Sequence, residues 1–311
     1  MGKRILVVGD IMIDHYTKVD SVRMAPEAHI PVWDELDHEY RLGGAANVAN
    51  NLKALGGDEV AVHLAGLAAR MEHNRPGRGF IEKHGIGTML VGGTRTMYKH
   101  RYFAEKGNEK VILFRVDNFK RWDEKEVRDY ERFFCGFLGE GVERPDVVVI
   151  SDYDKGTVTP AMVNALFDLG APVIVDSKRF DLSMYRGSYI IKLNHAEYAN
   201  QIVGHEYVNV EGLADYIVVT KGAAGAELRM SAGAKSVPED KRPDPNRESY
   251  IVHTEDFPIE SVEPVDVTGC GDTHTAAMAF SLLGDSDVRR AVRFANRCAA
   301  SVVKKFGTSV V

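Results

Sequence analysis

Two kinds of apolar segment alternate along this chain. Residues 5–8 form a short aliphatic run closed by Gly9 and Asp10, a pattern typical of a parallel strand that is buried on both faces. Four other segments mix polar with β-branched and aromatic positions, namely 11–19, 30–40, 94–103 and 111–116. These four predict a small antiparallel sheet with one face in water.

From about residue 123 the pattern becomes a series of strand–helix repeats. Apolar strands are predicted at 147–150, 172–176, 189–192 and 216–220, and helices at 123–138, 160–169 and 194–202. This alternation predicts an α/β fold with a mostly parallel sheet and right-handed crossovers. The polar, proline-containing stretch 231–249 is interpreted as an exposed excursion between strands. Because no interdomain linker is visible, a single domain over residues 1–311 is expected.

Composition narrows the classes of function. The chain has 311 residues, of which 44% are hydrophobic and 27% charged, as in an ordinary globular protein. A net charge of −6 provides no general attraction for nucleic acid or an anionic membrane. Its three widely spaced cysteines suit a reducing compartment. No apolar run reaches the length of a membrane span, so we expect a cytoplasmic protein.

The segment from Asp266 to Asp272, Asp-Val-Thr-Gly-Cys-Gly-Asp, carries the strongest chemical signal. Gly269 and Gly271 allow a tight turn and leave backbone N–H groups uncovered. An apolar-periodic helix is predicted at 276–283, and its N-terminus adds partial positive charge, so the loop is suited to bind an anion. Asp272 can accept a hydroxyl proton in the same space. The alternative is a simple turn with an N-capping aspartate.

A second small-residue loop, Gly43-Gly44-Ala-Ala-Asn47, opens a helix-like stretch. Its glycines permit close approach of a polar ligand, and Asn47 can both donate and accept hydrogen bonds. Asp14 follows the first strand and can bind two vicinal hydroxyls. A solvated strand residue is the alternative interpretation of Asp14.

These segments, in this order and spacing, resemble the ribokinase-like (PfkB-type) carbohydrate kinases. Within that family, segments 26–28, 151–156, 176–178, 194–197 and 295–308 look like those of the D-glycero-β-D-manno-heptose 7-phosphate kinases. The resemblance implies a three-layer α/β/α fold with a β-sheet lid formed by about 11–41 and 94–117. It also implies a homodimer that pairs through this lid.

The resemblance further implies roles for individual residues. Asp272 would be the general base beside an anion hole formed by Gly269, Cys270 and Gly271. The sugar would be held by Asp14, Gly43, Gly44 and Asn47. Candidate partners for a phosphate on the acceptor are Lys99, Arg101, Lys155 and Lys178. ATP would contact Asn194, Glu197, Thr220, Gly222, Gly225 and Asn296, with Glu197 holding Mg²⁺ mostly through water. Whether a monovalent cation binds near Asp266 and residues 307–309, as in some relatives, stays open.

The sequence departs from the family pattern at several points. Cys270 replaces the usual alanine of the anion hole, and the adjacent helix N-terminus predicts a lowered thiol pKa, with alkylation that slows the enzyme and is blocked by ATP. Segment 65–70 lacks an acidic residue that the family often carries, and the stretch from 197 to 220 is shorter than is usual in the family. The nucleotidyltransferase motif of bifunctional heptose enzymes, His-x-Gly-His, does not occur, so only the kinase activity is expected.

The leading prediction is therefore ATP-dependent phosphorylation of heptose 7-phosphate to the 1,7-bisphosphate. Two alternatives remain open at this point. The chain can be a ribose, fructose or nucleoside kinase of the same superfamily, or a catalytically silent sugar-binding protein that keeps the fold.

Overall fold

A computed structural model describes residues 2–69, 76–107, 109–140, 143–203, 210–231, 251–259 and 262–311. Its central sheet has nine strands: β1 (Lys3–Gly9), β4 (Val60–Ala68), β5 (Gly87–Gly92), β8 (Val147–Asp152), β9 (Val173–Ser177), β10 (Ser188–Asn194), β11 (Ala214–Thr220), β12 (Ala226–Ser231) and β13 (Ile251–Phe257). The strand order is β13-β12-β11-β10-β9-β8-β1-β4-β5. All neighbours from β11 to β5 pair in parallel, while β12 and β13 are antiparallel.

Seven helices accompany the sheet in the described part of the chain: α1 (Ala45–Gly56), α2 (Arg78–Glu82), α3 (Glu124–Gly139), α4 (Pro160–Phe167), α5 (His195–Val203), α6 (Cys270–Leu282) and α7 (Val288–Val302). One apolar cluster joins α1, α6 and α7 to one face of the sheet, and a second joins α3 and α4 to the other. Strand β1 contributes Ile5 and Val7 to the first cluster and Leu6 and Val8 to the second. This burial on both faces explains its uninterrupted apolar sequence and confirms the three-layer prediction.

A separate four-stranded sheet, which we call the lid, consists of β2 (Ile11–Met24), β3 (Pro31–Gly44), β6 (Met97–Lys106) and β7 (Glu109–Asn118). Its order is β3-β2-β6-β7. The prediction of a purely antiparallel sheet is wrong for one pair, since β2 and β6 run parallel. The chain returns to the lid only after passing through α1, β4, α2 and β5, and this long crossover permits the parallel pairing.

Two further expectations concern the whole chain. No helix in the described ranges is long and apolar enough to cross a membrane. Of the predicted excursion at 231–249, all but the first residue falls outside the described residues, as do residues 204–209 of the short segment after Glu197.

Candidate active site

Backbone conformation at the N-terminus of α6 explains the glycines of the predicted anion hole. Gly269 precedes the helix with φ of 81°, a value that L side chains rarely adopt. A Cβ there would approach the Asn47 side-chain nitrogen to 2.9 Å, and one on Gly271 would approach the Lys192 ammonium to 3.3 Å. The two glycines therefore bring the backbone close to an amide donor and a buried cation, in a place where backbone N–H groups face no helical partner.

Asp272 lies in the first turn of α6 and is buried. Its Oδ1 accepts a hydrogen bond from the Tyr153 hydroxyl at 2.6 Å, and its Oδ2 accepts one from Asn47 Nδ2 at 2.8 Å. These partners contradict the N-capping alternative, because Gly269 is the N-cap and has no side chain. Burial raises the pKa of Asp272, while the two hydrogen bonds oppose that rise. The result is a carboxylate with enhanced basicity and a fixed orientation.

The orientation of the Asn47 amide is itself fixed by a short relay. Asn47 Oδ1 accepts from Asn51 Nδ2 at 3.2 Å, and Asn51 Oδ1 accepts from the Thr273 hydroxyl at 3.1 Å. Asn47 must therefore present its nitrogen to Asp272. The loop before it is tight as well, since a Cβ on Gly43 would lie 3.0 Å from Asp14 Oδ2. The amino-terminal and carboxy-terminal small-residue loops thus meet at one carboxylate.

Asp14 belongs to the lid and is only 2% exposed, so the interpretation as a solvated strand residue is wrong. Its Oδ1 accepts from Arg101 Nη1 at 2.7 Å. Burial opposes the charged form of Arg101, but the charges of Asp14, Tyr16 and Asp266 and the hydrogen bond to Asp14 together outweigh burial and raise the Arg101 pKa. Arg101 is therefore committed to Asp14 in this structure, and the pair forms one wall of the site.

A group of lysines lies near two aromatic rings on the lid side of Asp272. The Lys99 ammonium is 4.6 Å from the centre of the Tyr153 ring, and the Lys155 ammonium is 5.0 Å from that of Phe119. Burial lowers the pKa of Lys99, while Asp14 and Asp272 oppose this effect. In the part of the chain that the structure describes, neither lysine has a carboxylate partner within 4.0 Å. Both cations are thus available to an anionic group.

Lys178 has a different environment. It forms ion pairs with Asp176 at 3.0 Å and with Glu197 at 2.8 Å. Burial opposes its charged form, but these two carboxylates outweigh burial and raise the Lys178 pKa. A phosphate that approaches Lys178 has to compete with both of them. The sequence prediction did not anticipate this competition.

Asn194 and Glu197 form a capping box at the start of α5. The Asn194 backbone N–H donates to Glu197 Oε2 and the Glu197 backbone N–H donates to Asn194 Oδ1, both at 2.8 Å. Together with Lys178, these contacts engage both carboxylate oxygens of Glu197 once. Each oxygen keeps a free lone-pair direction, which fits an indirect Mg²⁺ contact through water. Among the described residues no cluster of three metal-binding side chains exists.

Lys192 was missed by the sequence analysis although it interrupts the apolar strand β10. It is 2% exposed and forms an ion pair with Asp176, which also accepts a hydrogen bond from the Thr275 hydroxyl at 3.0 Å. Burial alone would raise the pKa of Asp176, but Lys178 and Lys192 hold it well below its usual range. A paired cation therefore lies directly behind the anion hole.

The predicted nucleotide residues other than Asn194 and Glu197 lie at the end of β11, in the turn that follows it and on α7. Asn296 on α7 is buried, donates to the Phe257 carbonyl at 2.8 Å and borders a cavity of about 590 Å³ between β13 and α7. Thr220 ends β11, and Gly225 must be glycine because a Cβ there would lie 2.1 Å from the Phe257 carbonyl oxygen. Thr220, Gly222 and Gly225 thus lead from the carboxyl end of β11 toward β13, the strand that borders this cavity.

The expectation that the pKa of the Cys270 thiol is lowered is wrong. Its pKa is raised to about 11, chiefly by burial and then by the charges of Asp266 and Asp272. These effects exceed the stabilisation of a thiolate that the helix N-terminus provides. The thiol is therefore not activated, and all three cysteines are free.

Sequence comparison resolves the family. The profile of the pfkB family carbohydrate kinases matches residues 3–311. This chain belongs to that family. The family is one of carbohydrate kinases, which transfer a phosphoryl group to a sugar hydroxyl and use ATP together with a metal ion.

Individual pfkB relatives cover nearly the entire chain. Bifunctional protein HldE from Campylobacter jejuni (strain RM1221) is 31% identical over 324 residues, covering 98% of this chain and 62% of its own length. Its counterpart from Trichlorobacter lovleyi is 33% identical over 317 residues, covering 98% and 60%. The chain thus spans about three fifths of the length of these curated relatives.

Solved structures show the same fold. Phosphofructokinase-2 from Escherichia coli in complex with potassium superposes with a TM-score of 0.69 at 18% identity, covering 100% of this chain and 95% of that one. Ribokinase from Arabidopsis thaliana, complexed with ribose and ATP, gives 0.63 at 17% identity, covering 99% and 94%. The ribokinase-like fold predicted from the sequence is confirmed.

Proposed function

We propose that this pfkB kinase transfers the γ-phosphoryl group of ATP to the anomeric hydroxyl of a heptose 7-phosphate. The observation that carries the proposal is the buried Asp272 carboxylate, which Asn47 and Tyr153 hold beside the glycine turn at the start of α6. The relatives named HldE support the heptose class of acceptor.

In the proposed reaction Asp272 takes the proton of the sugar hydroxyl. The sugar oxygen forms a bond to the γ-phosphorus while the bond from that phosphorus to the β,γ-bridging oxygen breaks, and ADP leaves with that oxygen. Backbone N–H groups at 269–271 stabilise the charge on the transferring phosphoryl oxygens. Mg²⁺, when bound with ATP, neutralises phosphate charge, and Asn194 and Glu197 would hold it through water.

The preference for a phosphorylated acceptor rests on Lys99 and Lys155. Both lie on the lid side of Asp272, and neither is neutralised by a described carboxylate. Asp14 is already paired with Arg101, so its remaining oxygen can accept from sugar hydroxyls. An unphosphorylated sugar would leave the two ammonium groups without an anionic partner.

The nucleotide is proposed to lie along Thr220, Gly222 and Gly225, with its base near the cavity that Asn296 borders. This arrangement places the γ-phosphate toward the start of α6. The site is suited to ATP because the cavity at β13 and α7 is large enough for a purine base.

A substrate panel tests the proposal. ADP release should be fastest with heptose 7-phosphate and much slower with ribose, fructose or a nucleoside. Asp272→Asn should lower kcat by about 10³-fold or more while ligand binding persists, because only proton acceptance is lost. Asp168→Asn, at an exposed carboxylate after α4, is the matched control and should retain activity.

The alternatives are separated by the same measurements. Fastest turnover of an unphosphorylated sugar or a nucleoside would replace the heptose assignment with one of the other superfamily activities. Binding of sugar phosphate and ATP without ADP release from the wild-type chain would instead indicate a silent sugar-binding protein.

We also propose that two copies of this chain pair through the lid. Strand β7 is an edge strand, and every one of its residues is exposed, including Val111, Ile112, Leu113, Phe114 and Val116. A long apolar edge is normally covered by another chain or blocked by charge. A second copy presenting the same strand would cover it symmetrically, and light scattering tests this.

A further inference from the structure

Residues 306–309, which we call the bridge, contact the lid through their backbone. Arg41 Nη1, on β3, donates to the carbonyl oxygen of Phe306 at 2.6 Å and to that of Thr308 at 3.1 Å. The Thr308 backbone N–H donates to the Tyr16 hydroxyl, on β2, at 3.0 Å. The Phe306 ring packs against Phe103 of β6, with ring centres 5.0 Å apart. Strands β2, β3 and β6 of the lid therefore hold the bridge.

The opposite side of the bridge contacts residues 266–269, which lead into the anion hole. The Gly307 backbone N–H donates to Asp266 Oδ2 at 2.9 Å. Asp266 Oδ1 accepts from the Thr268 backbone N–H at 2.8 Å and from its hydroxyl at 2.7 Å. A Cβ on Gly269 would lie 3.3 Å from Thr308 Cγ2. The bridge thus determines where the first residue of the anion hole sits.

The sequence left open whether an exchangeable monovalent cation binds at this place, and the residues do not fit one. An alkali cation needs several oxygen ligands that are free to turn toward it. Here the carbonyl oxygens of Phe306 and Thr308 accept from Arg41, so an alkali cation on their remaining lone pairs would lie beside a positively charged guanidinium. Both Asp266 oxygens also accept from N–H or O–H donors. A Cβ on Gly307 would lie 2.7 Å from Arg41 Nη1, so the guanidinium lies directly against the backbone.

The charge of Arg41 is also supported from the lid. Its Nη2 donates to Glu39 Oε1 at 2.6 Å, and its Cζ lies 5.1 Å from the centre of the Tyr16 ring. Arg101 lies 5.2 Å from the same ring and pairs with Asp14. A continuous series of contacts therefore runs from the sugar-side carboxylate to the anion hole.

We propose that Arg41 is the fixed cation of the bridge and positions the anion hole in place of an exchangeable ion. Arg41 is a positioning residue, since it acts on the reacting groups only through the bridge. The inference rests on the kinase function proposed above. It also means that a displacement of the lid displaces the anion hole.

The first test replaces the salt in the assay of the wild-type enzyme. At constant ionic strength, potassium is exchanged for sodium and then for tetramethylammonium, which is too large to enter a site of carbonyl ligands. We expect kcat to be unchanged. A loss of kcat that potassium alone restores would overturn the proposal.

The second test removes the guanidinium. Arg41→Ala should lower kcat by about 100-fold with little change in KM, because a small misplacement of the transfer site has effects of that size. Millimolar guanidinium should restore part of kcat, and Arg41→Lys should keep more activity than the alanine variant. Lys110→Ala is the control, since Lys110 touches the Phe306 ring at 5.3 Å and should leave kcat unchanged. Wild-type kcat in Arg41→Ala, or no response to guanidinium in the folded variant, would contradict the proposal.

A readout without turnover separates this inference from the kinase assignment. Guanidinium that occupies the vacated space should raise the Tm of Arg41→Ala and not that of the wild type, since a ligand specific to the native state stabilises it. A Tm of Arg41→Ala that guanidinium does not raise would overturn the role of Arg41 even if no sugar is turned over. Should Arg41→Ala fail to fold, Arg41→Lys and the salt exchange decide.

Discussion

The two faces of the lid sheet are built from alternate residues of the same strands, yet their chemistry differs completely. The inner face carries the buried Asp14 and Arg101 and the half-buried Lys99, whose charges are directed at the site. The outer face carries a row of stacked rings across all four strands, Tyr40, His15, His100, Tyr102 and Phe114. Neighbouring ring centres in this row are 3.9–4.5 Å apart.

Because successive side chains of a strand point to opposite faces of the sheet, one short segment can supply both the site and a separate outer surface. His15 and His100 lie beside Asp14 and Arg101 in sequence but point the other way. A substitution on the inner face should therefore change catalysis and stability, and one on the outer face should change association. Substitutions on each face test this separation.

Removing Arg101 should produce the largest loss. Arg101→Met leaves the buried Asp14 carboxylate unpaired, and breaking a buried ion pair in this way typically costs about 3–5 kcal/mol of folding free energy. Urea unfolding measures the loss, and kcat/KM should fall with it. The control is Arg115→Met, because Arg115 is the exposed cross-strand neighbour of Arg101 on β7. Equal losses in the two variants would show that burial of the pair is unimportant.

Phe114→Asp should separate the proposed dimer. The Phe114 ring is 42% exposed in the single chain, and removal of a central apolar anchor commonly weakens association by about 2 kcal/mol or more. Light scattering or analytical ultracentrifugation gives the monomer–dimer equilibrium. Phe133→Asp alters an equally exposed ring on α3 (44%) and should leave the mass unchanged. If the wild-type protein is already a monomer, the proposal that the outer face of the lid mediates association is wrong.

Lys99→Met should weaken binding of the acceptor phosphate. We expect KM for the sugar phosphate to rise about tenfold, or about 1.4 kcal/mol, with KM for ATP unchanged. The test is steady-state kinetics with each substrate varied in turn. Lys106→Met, at the exposed end of β6, is the control. An equal rise in both KM values would mean that Lys99 does not discriminate the acceptor.

The smallest expected effect is a shift in pH dependence. Transfer needs ionised Asp272, so kcat should fall as the pH drops through the raised pKa of this group. Tyr153→Phe removes a hydrogen bond that lowers that pKa, and the acid limb of the profile should therefore move to higher pH. An acid limb that stays in place would mean that the Tyr153 hydrogen bond is not retained during turnover.

Much of the central sheet could be predicted, because fully buried parallel strands have a recognisable sequence. The predictions at 147–150, 172–176, 189–192 and 216–220 are confirmed as β8 to β11. Strand β4 escaped prediction because His63 and Gly66 interrupt its apolar pattern, and β5 because it is short and has glycine at both ends. The parallel pairing of β2 with β6 depends on a crossover that local patterns do not encode.

The candidate site was predictable where a backbone conformation demands a residue type, as at Gly269. It was less predictable where a contact joins distant segments. Tyr153 lies in segment 151–156, which resembles that of the heptose kinases, but only the fold brings its hydroxyl to Asp272. Lys192 carried a usable signal, a single charge within the apolar run of β10. The environment of Cys270 depends on burial and on two neighbouring carboxylates, and a local helix-terminus argument omits both.

The hydrogen bond between Asn47 and Asp272 joins residues 225 positions apart, and the one between Tyr16 and Thr308 joins residues 292 positions apart. Contacts of such long sequence separation form late in folding, because their loops must close first. During synthesis on the ribosome, a nascent chain can therefore complete much of its central sheet before its active site is assembled. Premature termination shortly before residue 308 should yield a folded but inactive product.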